Sequence, residues 1–144
     1  MSYVIPTMEN FKELIKDKKT VIFGAGEYCM RFLNRLDETD MECIDFIVDN
    51  DADKHGNTLF GINVLSPAIL RDMEAHNTVV VIAIENGIAE VYKQLRDKGE
   101  FIIVSARILM NDILSQVAKE LYEGKSKIEE VADLLYDDKS RWIY

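Results

Sequence analysis

Apolar positions along this chain recur with two different periods. Short runs rich in β-branched residues stand at 20–23, 44–48, 79–84 and 101–104. Each is too short for a buried helix and is bounded by polar residues or glycine, which predicts strands. Helix-period segments lie between them. Phe11, Leu14 and Ile15 share one face of a first helix. Met30, Leu33 and Leu36, with Phe32 beside them, share one face of a second. Ile88, Val91, Tyr92 and Leu95 line a third, which Gly99 ends as its C′ residue. The stretch 49–65 is irregular: 51–54, Gly56 and Gly61 read as turns, and 62–65 as a short strand. Ser66 and Pro67 then read as N-cap and first position of a helix running through Met73. Strands alternating with helices imply a parallel sheet covered on both faces and joined by right-handed crossovers. The expected fold is α/β, a doubly wound sheet of about five parallel strands.

The pattern changes after residue 106. Residues 108–122 read as one amphipathic helix with Ile113, Leu114, Val117 and Leu121 at core spacing, ended by Gly124. Ser126 and Glu129 form a capping-box pattern for a second helix carrying Ile128, Val131, Leu134 and Leu135. The expected organisation is a nucleotide-binding domain at 1–106 and a helical extension at 107–144. The last residues, Trp142, Ile143 and Tyr144, are large and apolar, whereas termini are usually solvated. This predicts a chain cut inside a longer one; the alternative is a tail docked on the core or on a partner subunit.

With 144 residues the chain has the length of one domain, and 48% hydrophobic with 30% charged residues excludes a disordered or low-complexity class. The net charge of −9 comes from 26 acids against 17 Lys and Arg. No basic cluster offers a face that would displace counterions from phosphates, so a nucleic-acid partner is not expected. Cys29 and Cys43 make neither a disulfide framework nor a metal set with His55 and His76. No apolar run reaches the length of a membrane span. A cytoplasmic protein without membrane insertion is expected.

The informative constellation is an apolar strand running through Val21, Ile22 and Phe23 into Gly24, Ala25, Gly26, Glu27, Tyr28 and Cys29. Gly24 permits a tight turn and Gly26 lets a pyrophosphate approach the backbone. The free N–H groups at the helix start then face the phosphates, with no cation required. The third glycine position of this fingerprint is occupied by Cys29, whose small thiol still allows helix and strand to approach. Asp49 lies 20 residues past Cys29, at the end of the second strand. There a ribose-binding acid is expected, accepting from the 2′- and 3′-hydroxyls and disfavouring a 2′-phosphate. Asn50 and Asp51 share its turn. Ala83, Ile84 and Glu85, followed by Asn86 and Gly87, should border the same crevice from the fourth strand. Two glycines at such a turn also serve sterics alone, and an acid at a strand end also serves as a cap.

Other chemistry is not encoded. No Y-x-x-x-K stands after the fourth strand, since Tyr92 is followed at +4 by Arg96. No nucleophile elbow or Walker loop is present. His55 and His76 read as solvated loop histidines, and the eight carboxylates between Asp37 and Asp53 as a solvated helix end and turn.

Three stretches carry a family resemblance: 21–29, then 46–56 (FIVDNDADKHG), then 61–67 (GINVLSP). Together they resemble the Rossmann-type module found at the front of FkbM-type methyltransferases. The same module also fronts nucleotide-sugar 4,6-dehydratases and some sugar-modifying acetyltransferases. The acidic element, F-I-V-D-N-D, is one residue longer here than the shared pattern. The tail at 135–144 resembles the linker that precedes the methyltransferase domain, with Tyr144 where that pattern has Phe. The resemblance implies an accessory domain that binds NAD or a nucleotide-sugar and serves a sugar- or polysaccharide-directed methyltransferase. S-adenosylmethionine would then be bound only by an absent following domain. The alternatives are a small NAD-dependent nucleotide-sugar oxidoreductase or epimerase, and a ligand-free dimerisation domain. The expected partners are a small nucleotide ligand and either a second copy or the following methyltransferase domain.

Overall fold

The computed structural model describes residues 7–111. Helix α1 (Met8–Leu14) is capped by the Thr7 hydroxyl, which accepts from the Asn10 N–H at 3.2 Å. There follow β1 (Lys19–Phe23), α2 (Glu27–Leu33), α3 (Glu38–Glu42) and β2 (Phe46–Val48). Then come β3 (Thr58–Leu59), β4 (Ile62–Leu65), β5 (Thr78–Ile82), α4 (Ile88–Lys98), β6 (Ile102–Ser105) and α5 (Ala106–Met110). The strand order is β3-β4-β2-β1-β5-β6. Strands β4, β2, β1, β5 and β6 run parallel, and β3 pairs antiparallel to β4 at the edge. The doubly wound parallel sheet is therefore present, with an antiparallel edge strand added. That strand lies inside the stretch expected to be turns, because it is two residues long and pairs through a two-residue loop. Phe60 (φ 50°) and Gly61 (φ 79°) make that loop a left-handed hairpin turn.

The order reverses at β1. The chain leaves it for β2 and β4 on one side and returns to β5 and β6 on the other. Sheets of this kind bind ligands beyond the carboxyl ends of the strands at this reversal. Alternation along each strand feeds two cores. Ile22, Ile47, Val64, Val81 and Val104 face α1, α2 and α5, where Phe11, Cys29, Phe32 and Leu109 are buried. Val21, Phe23, Val80, Ile82 and Ile103 face α4 and the segment Pro67–Asp72, where Leu70, Val91, Tyr92 and Leu95 are buried. All five residues of β5 are buried, as a central parallel strand requires. Complete burial of a Val or Ile side chain contributes about 1.5–3 kcal/mol.

Several elements differ from expectation for identifiable reasons. The buried face of α2 is Cys29, Phe32 and Leu33, whereas Met30 is 41% exposed. Helical positions 29, 32 and 33 share a stripe, and the apolar Met30 points a quarter-turn away. The helix opened by Ser66 and Pro67 is a 3-10 helix ending at Asp72, and the Ser66 hydroxyl does accept from the Ala68 N–H at 3.2 Å. Gly99 ends α4 in an extended conformation, not a left-handed one. A Cβ there would lie 2.8 Å from the Ala75 Cβ, so space requires the glycine. The acidic run is exposed as expected except at Asp40, which is buried, and Asp49, which is half-buried, and several of its carboxylates also accept from backbone N–H groups. Asp37 and Asp40 form a capping box on α3, and Asp40 is buried against Lys12 of α1 at 3.2 Å. Asp45 accepts from the Thr20 N–H at 2.8 Å.

Helix α5 begins at Ala106, directly after β6, and its Ile108 and Leu109 are buried. Asn111 is extended (φ −109°, ψ 106°), so the helical run predicted from 108 is interrupted there. The expected domain boundary after residue 106 falls inside α5. The rest of that prediction, the second helix and the apolar terminus lie outside the described residues.

Candidate functional site

The site is built where β1, β2 and β5 end. The parallel ladder continues one residue past each strand: the Gly24 N–H donates to the Val48 carbonyl at 2.8 Å, and the Ala83 N–H to the Phe23 carbonyl at 2.9 Å. This continuation draws Ala83 against the turn. Gly24 takes φ +116°, and a Cβ there would sit 2.6 Å from both the Ala83 carbonyl oxygen and the Ile84 Cγ2. Only glycine fits both constraints.

Gly26 is a different case. Its backbone (φ −110°, ψ −161°) is open to any residue, and the nearest atom to an added Cβ is the Lys54 Nζ at 3.8 Å. Neither backbone conformation nor packing requires glycine here. What a side chain would fill is the space above the turn. Gly26 is the N-cap of α2, and no side chain caps that helix. The N–H groups of Gly26, Glu27, Tyr28 and Cys29 therefore have no partner within α2. Glu27 is exposed, Tyr28 half-buried with Arg31 over its ring at 5.8 Å, and Cys29 fully buried.

Asp49 is reached through a local code. One carboxylate oxygen accepts from the Ala25 N–H at 2.7 Å, tying the end of β2 to the glycine turn. The other accepts from the Asp51 N–H at 2.8 Å, and Asp51 in turn accepts from the Asp53 N–H at 3.0 Å. These two consecutive side-chain turns fold the backbone back on itself. They bring Lys54 over Gly26, with its Nζ 3.8 Å from Asp49 Oδ2. His55 does not lie free in solvent. Its Nε2 is 2.7 Å from the Asp49 carbonyl oxygen, and since a carbonyl only accepts, that nitrogen carries a proton. Asn50 and Gln94 exchange two side-chain amide hydrogen bonds at 3.1 and 3.0 Å, pinning the β2 loop to α4.

On the opposite lip Ala83 is buried, Ile84 half-buried and Glu85 exposed. The Arg107 guanidinium of α5 donates to the Glu85 carbonyl. The structure thus brings Gly24, Ala25, Gly26 and Asp49 into direct contact and places Ala83 and Ile84 against them. Asn50 and Asp51 turn away to serve α4 and the loop backbone.

The arrangement differs in two ways from main-chain amides acting alone. One amide, that of Ala25, is taken by Asp49. One cation, Lys54, stands over the turn. The sequence does not mark Lys54, Gln94 or Arg107 as site residues, and it marks His55 only as a loop histidine. For Lys54 the spacing of Asp49, Asp51 and Asp53 carried a usable signal; for Gln94 and Arg107 the contacts are long-range and no local signal exists. Chemically the site offers N–H donors and a cation toward an anion. Asp49 adds a carboxylate, each oxygen of which keeps a second lone pair for a hydroxyl donor.

Burial pushes the Cys29 thiol up to about 12, and the negative Asp49 carboxylate adds to the shift. Cys29 is therefore a packing residue, which suits its place where helix and strand approach. We expect one thiol, the half-buried Cys43, to react with Ellman's reagent in the native protein at pH 8, and Cys29 only in denaturant. Rapid native labelling of Cys29, read by mass spectrometry, would contradict this.

Residues 16–109 match the family model described as C2185-like, N-terminal. Among solved structures, UDP-D-quinovosamine 4-dehydrogenase from Vibrio fischeri is similar at 19% identity and a TM-score of 0.50, over 73% of this chain and 87% of that one. RSP, a Rex-family repressor, is similar at 17% identity and a TM-score of 0.51, over 81% of this chain and 64% of the repressor. The chain thus spans just under two thirds of the repressor's length. At these identities the likeness is one of fold, a Rossmann-like domain. The resemblance to the module of FkbM-type methyltransferases is met at that level. No curated protein matches the chain.

Proposed function

Because the chain belongs to the C2185-like N-terminal family, and its glycine turn is open where a side chain would close it, we propose that it binds a nucleotide diphosphate, of the NAD or nucleotide-sugar class. The observation that carries this reading is the contrast between the two glycines. Gly24 is demanded by the fold, whereas Gly26 leaves an unfilled space bounded by helix N–H groups and the Lys54 ammonium. A diphosphate suits that space: it accepts from the free N–H groups and pairs with the cation. Asp49, already oriented by Ala25, Asp51 and His55, would accept from ribose hydroxyls.

The fold likeness to an enzyme named for a UDP-sugar supports a nucleotide-sugar as the first ligand to try. It also favours the oxidoreductase alternative over an accessory role for a methyltransferase. Against chemistry by the chain alone stands Tyr92, which is buried beneath Arg96 and packs in the α4 core instead of facing the crevice. Service to a methyltransferase rests on the resemblance at 135–144, outside the described residues.

Thermal unfolding with NAD, uridine- and cytidine-diphosphate sugars, coenzyme A and S-adenosylmethionine tests the reading. At a free concentration 100 times the dissociation constant, the true ligand stabilises by about 2.7 kcal/mol. Gly26→Val should remove that stabilisation and lower the unliganded stability by no more than about 1–2 kcal/mol, because Val is a poorer N-cap than Gly. If the ligand effect survives Gly26→Val, or no nucleotide stabilises the protein, the assignment fails. Turnover of a nicotinamide substrate by this chain alone would replace the binding role with the oxidoreductase one.

A further inference from the structure

A second groove opens at the carboxyl ends of β2 and β4, between the segment Pro67–Asp72 and α4. Its volume is about 360 Å³, and Asn50, His55, Ser66, Arg71, Gln94 and Lys98 line it. None of Gly24, Gly26, Asp49 or Lys54 does. In a chain with 26 acids and 17 Lys and Arg, the lining of this groove holds two cations and a histidine and no carboxylate. The local charge is thus the reverse of the net charge. The contrast with a groove of about 570 Å³ beside α3 is direct, since Asp37, Glu38 and Glu42 line that one and no Lys or Arg does.

Arg71 and Lys98 come from elements 27 residues apart, yet converge on one space. Neither is in an ion pair among the described residues, as Lys18, Lys19 and Lys93 also are not, but only Arg71 and Lys98 line this groove. Each stands in the last turn of its own helical segment, where a cation suits the backbone dipole. The dipole accounts for one cation at each end, and not for both facing a cavity that excludes carboxylates. Around them Asn50, Gln94 and Ser66 supply neutral donors, and His55 adds a ring held by the Asp49 carbonyl. Charge-assisted donors around a concave space at the carboxyl edge of the sheet are the requirements of a small anion site.

We propose that this groove is a second ligand site, which takes a phosphate group between Arg71 and Lys98. The phosphate would be carried either by a separate small phosphate ester or by a ribose phosphate of the ligand held at the glycine turn. Amide spectra of the isotope-labelled full chain, titrated with inorganic phosphate at constant ionic strength, test it. The expected result is saturable shifts at Asn50, Ser66, Ala68 and Gln94, with affinity at least about tenfold weaker in the Arg71→Gln/Lys98→Gln variant. Arg71 is exposed and Lys98 half-buried, and neither is in an ion pair among the described residues, so that variant should unfold within a few degrees of wild type, roughly a 1 kcal/mol change. Linear shifts matched by a chloride control, or a titration unchanged in the double variant, would overturn the proposal.

The arms are separable from the nucleotide reading. NAD should shift the Gly24, Ala25 and Gly26 amides equally in wild type and double variant, and phosphate should still reach the groove in Gly26→Val. Displacement of inorganic phosphate by a 2′-phosphorylated dinucleotide, but not by NAD, would support the proposal with the phosphate on the crevice ligand. Persistence of both together would support a separate phosphate ester.

Discussion

Replacing Gly24 by alanine should destabilise the protein by about 3 kcal/mol, a fall in Tm of roughly 10 °C. Two effects combine. The residue sits at φ +116°, where a Cβ is strained whatever surrounds it. The added carbon would also meet the Ala83 carbonyl oxygen and the Ile84 side chain at 2.6 Å. Ile84 can rotate away, but the carbonyl cannot. It belongs to the residue whose N–H extends the β1–β5 ladder, so relief must pull the two central strands apart. Equilibrium denaturation of Gly24→Ala beside Gly26→Ala gives the sharpest comparison. The first should lose about 3 kcal/mol of a typical domain's roughly 5–15 kcal/mol, and the second, at the N-cap of α2, should stay within about 1 kcal/mol of wild type. Equal effects at the two glycines would show that the turn is not held as described.

The second large effect is expected at Asp49. Asp49→Ala removes the acceptor of two backbone N–H groups, those of Ala25 and Asp51, and the partner of Lys54. The Asp49 side chain is only 16% exposed and Ala25 is buried, so water replaces the Ala25 bond poorly, whereas the Asp51 bond is exposed and adds less. An unsatisfied buried donor costs about 1–3 kcal/mol. The Lys54 pair adds little, since its ammonium is 40% exposed. A loss of about 2–4 kcal/mol is therefore expected, together with a large shift of the Ala25 amide resonance. Asp49→Asn should recover part of it, because the amide oxygen still accepts one N–H while its NH2 faces the other. If Asp49→Ala were as stable as wild type but bound no nucleotide, Asp49 would be a ligand-facing acid only, and its contacts with the turn would carry no energy.

Asp49 also shows how far local pattern reaches. Its position 20 residues past Cys29 marks it as an acid at the end of β2, and the structure places it there. Spacing alone does not tell a ribose acceptor from a brace of the glycine turn, because both need a carboxylate at that place. The distance of 2.7 Å to the Ala25 N–H shows that it braces the turn. The same limit applies to His55, which looks like a loop histidine until the fold brings the Asp49 carbonyl to it. It applies to Met30 as well, since a helix only two turns long leaves the direction of its apolar stripe ambiguous by one position. The strand runs are more legible, because a central parallel strand is buried on both faces and its sequence is a near-continuous apolar run.

What the amino-acid order determined by itself is the alternation of strand and helix, hence a parallel sheet wound on both faces, and the glycine turn at its switch point. Those features depend on periodicity and on the backbone freedom of glycine, which act within a few residues. Only the tertiary structure decided which glycine serves the fold and which leaves the space above the turn open, that Lys54 stands over the turn, and that Arg71 and Lys98 share one groove. Those depend on distances between segments far apart in the chain, and a linear order of residues does not contain them.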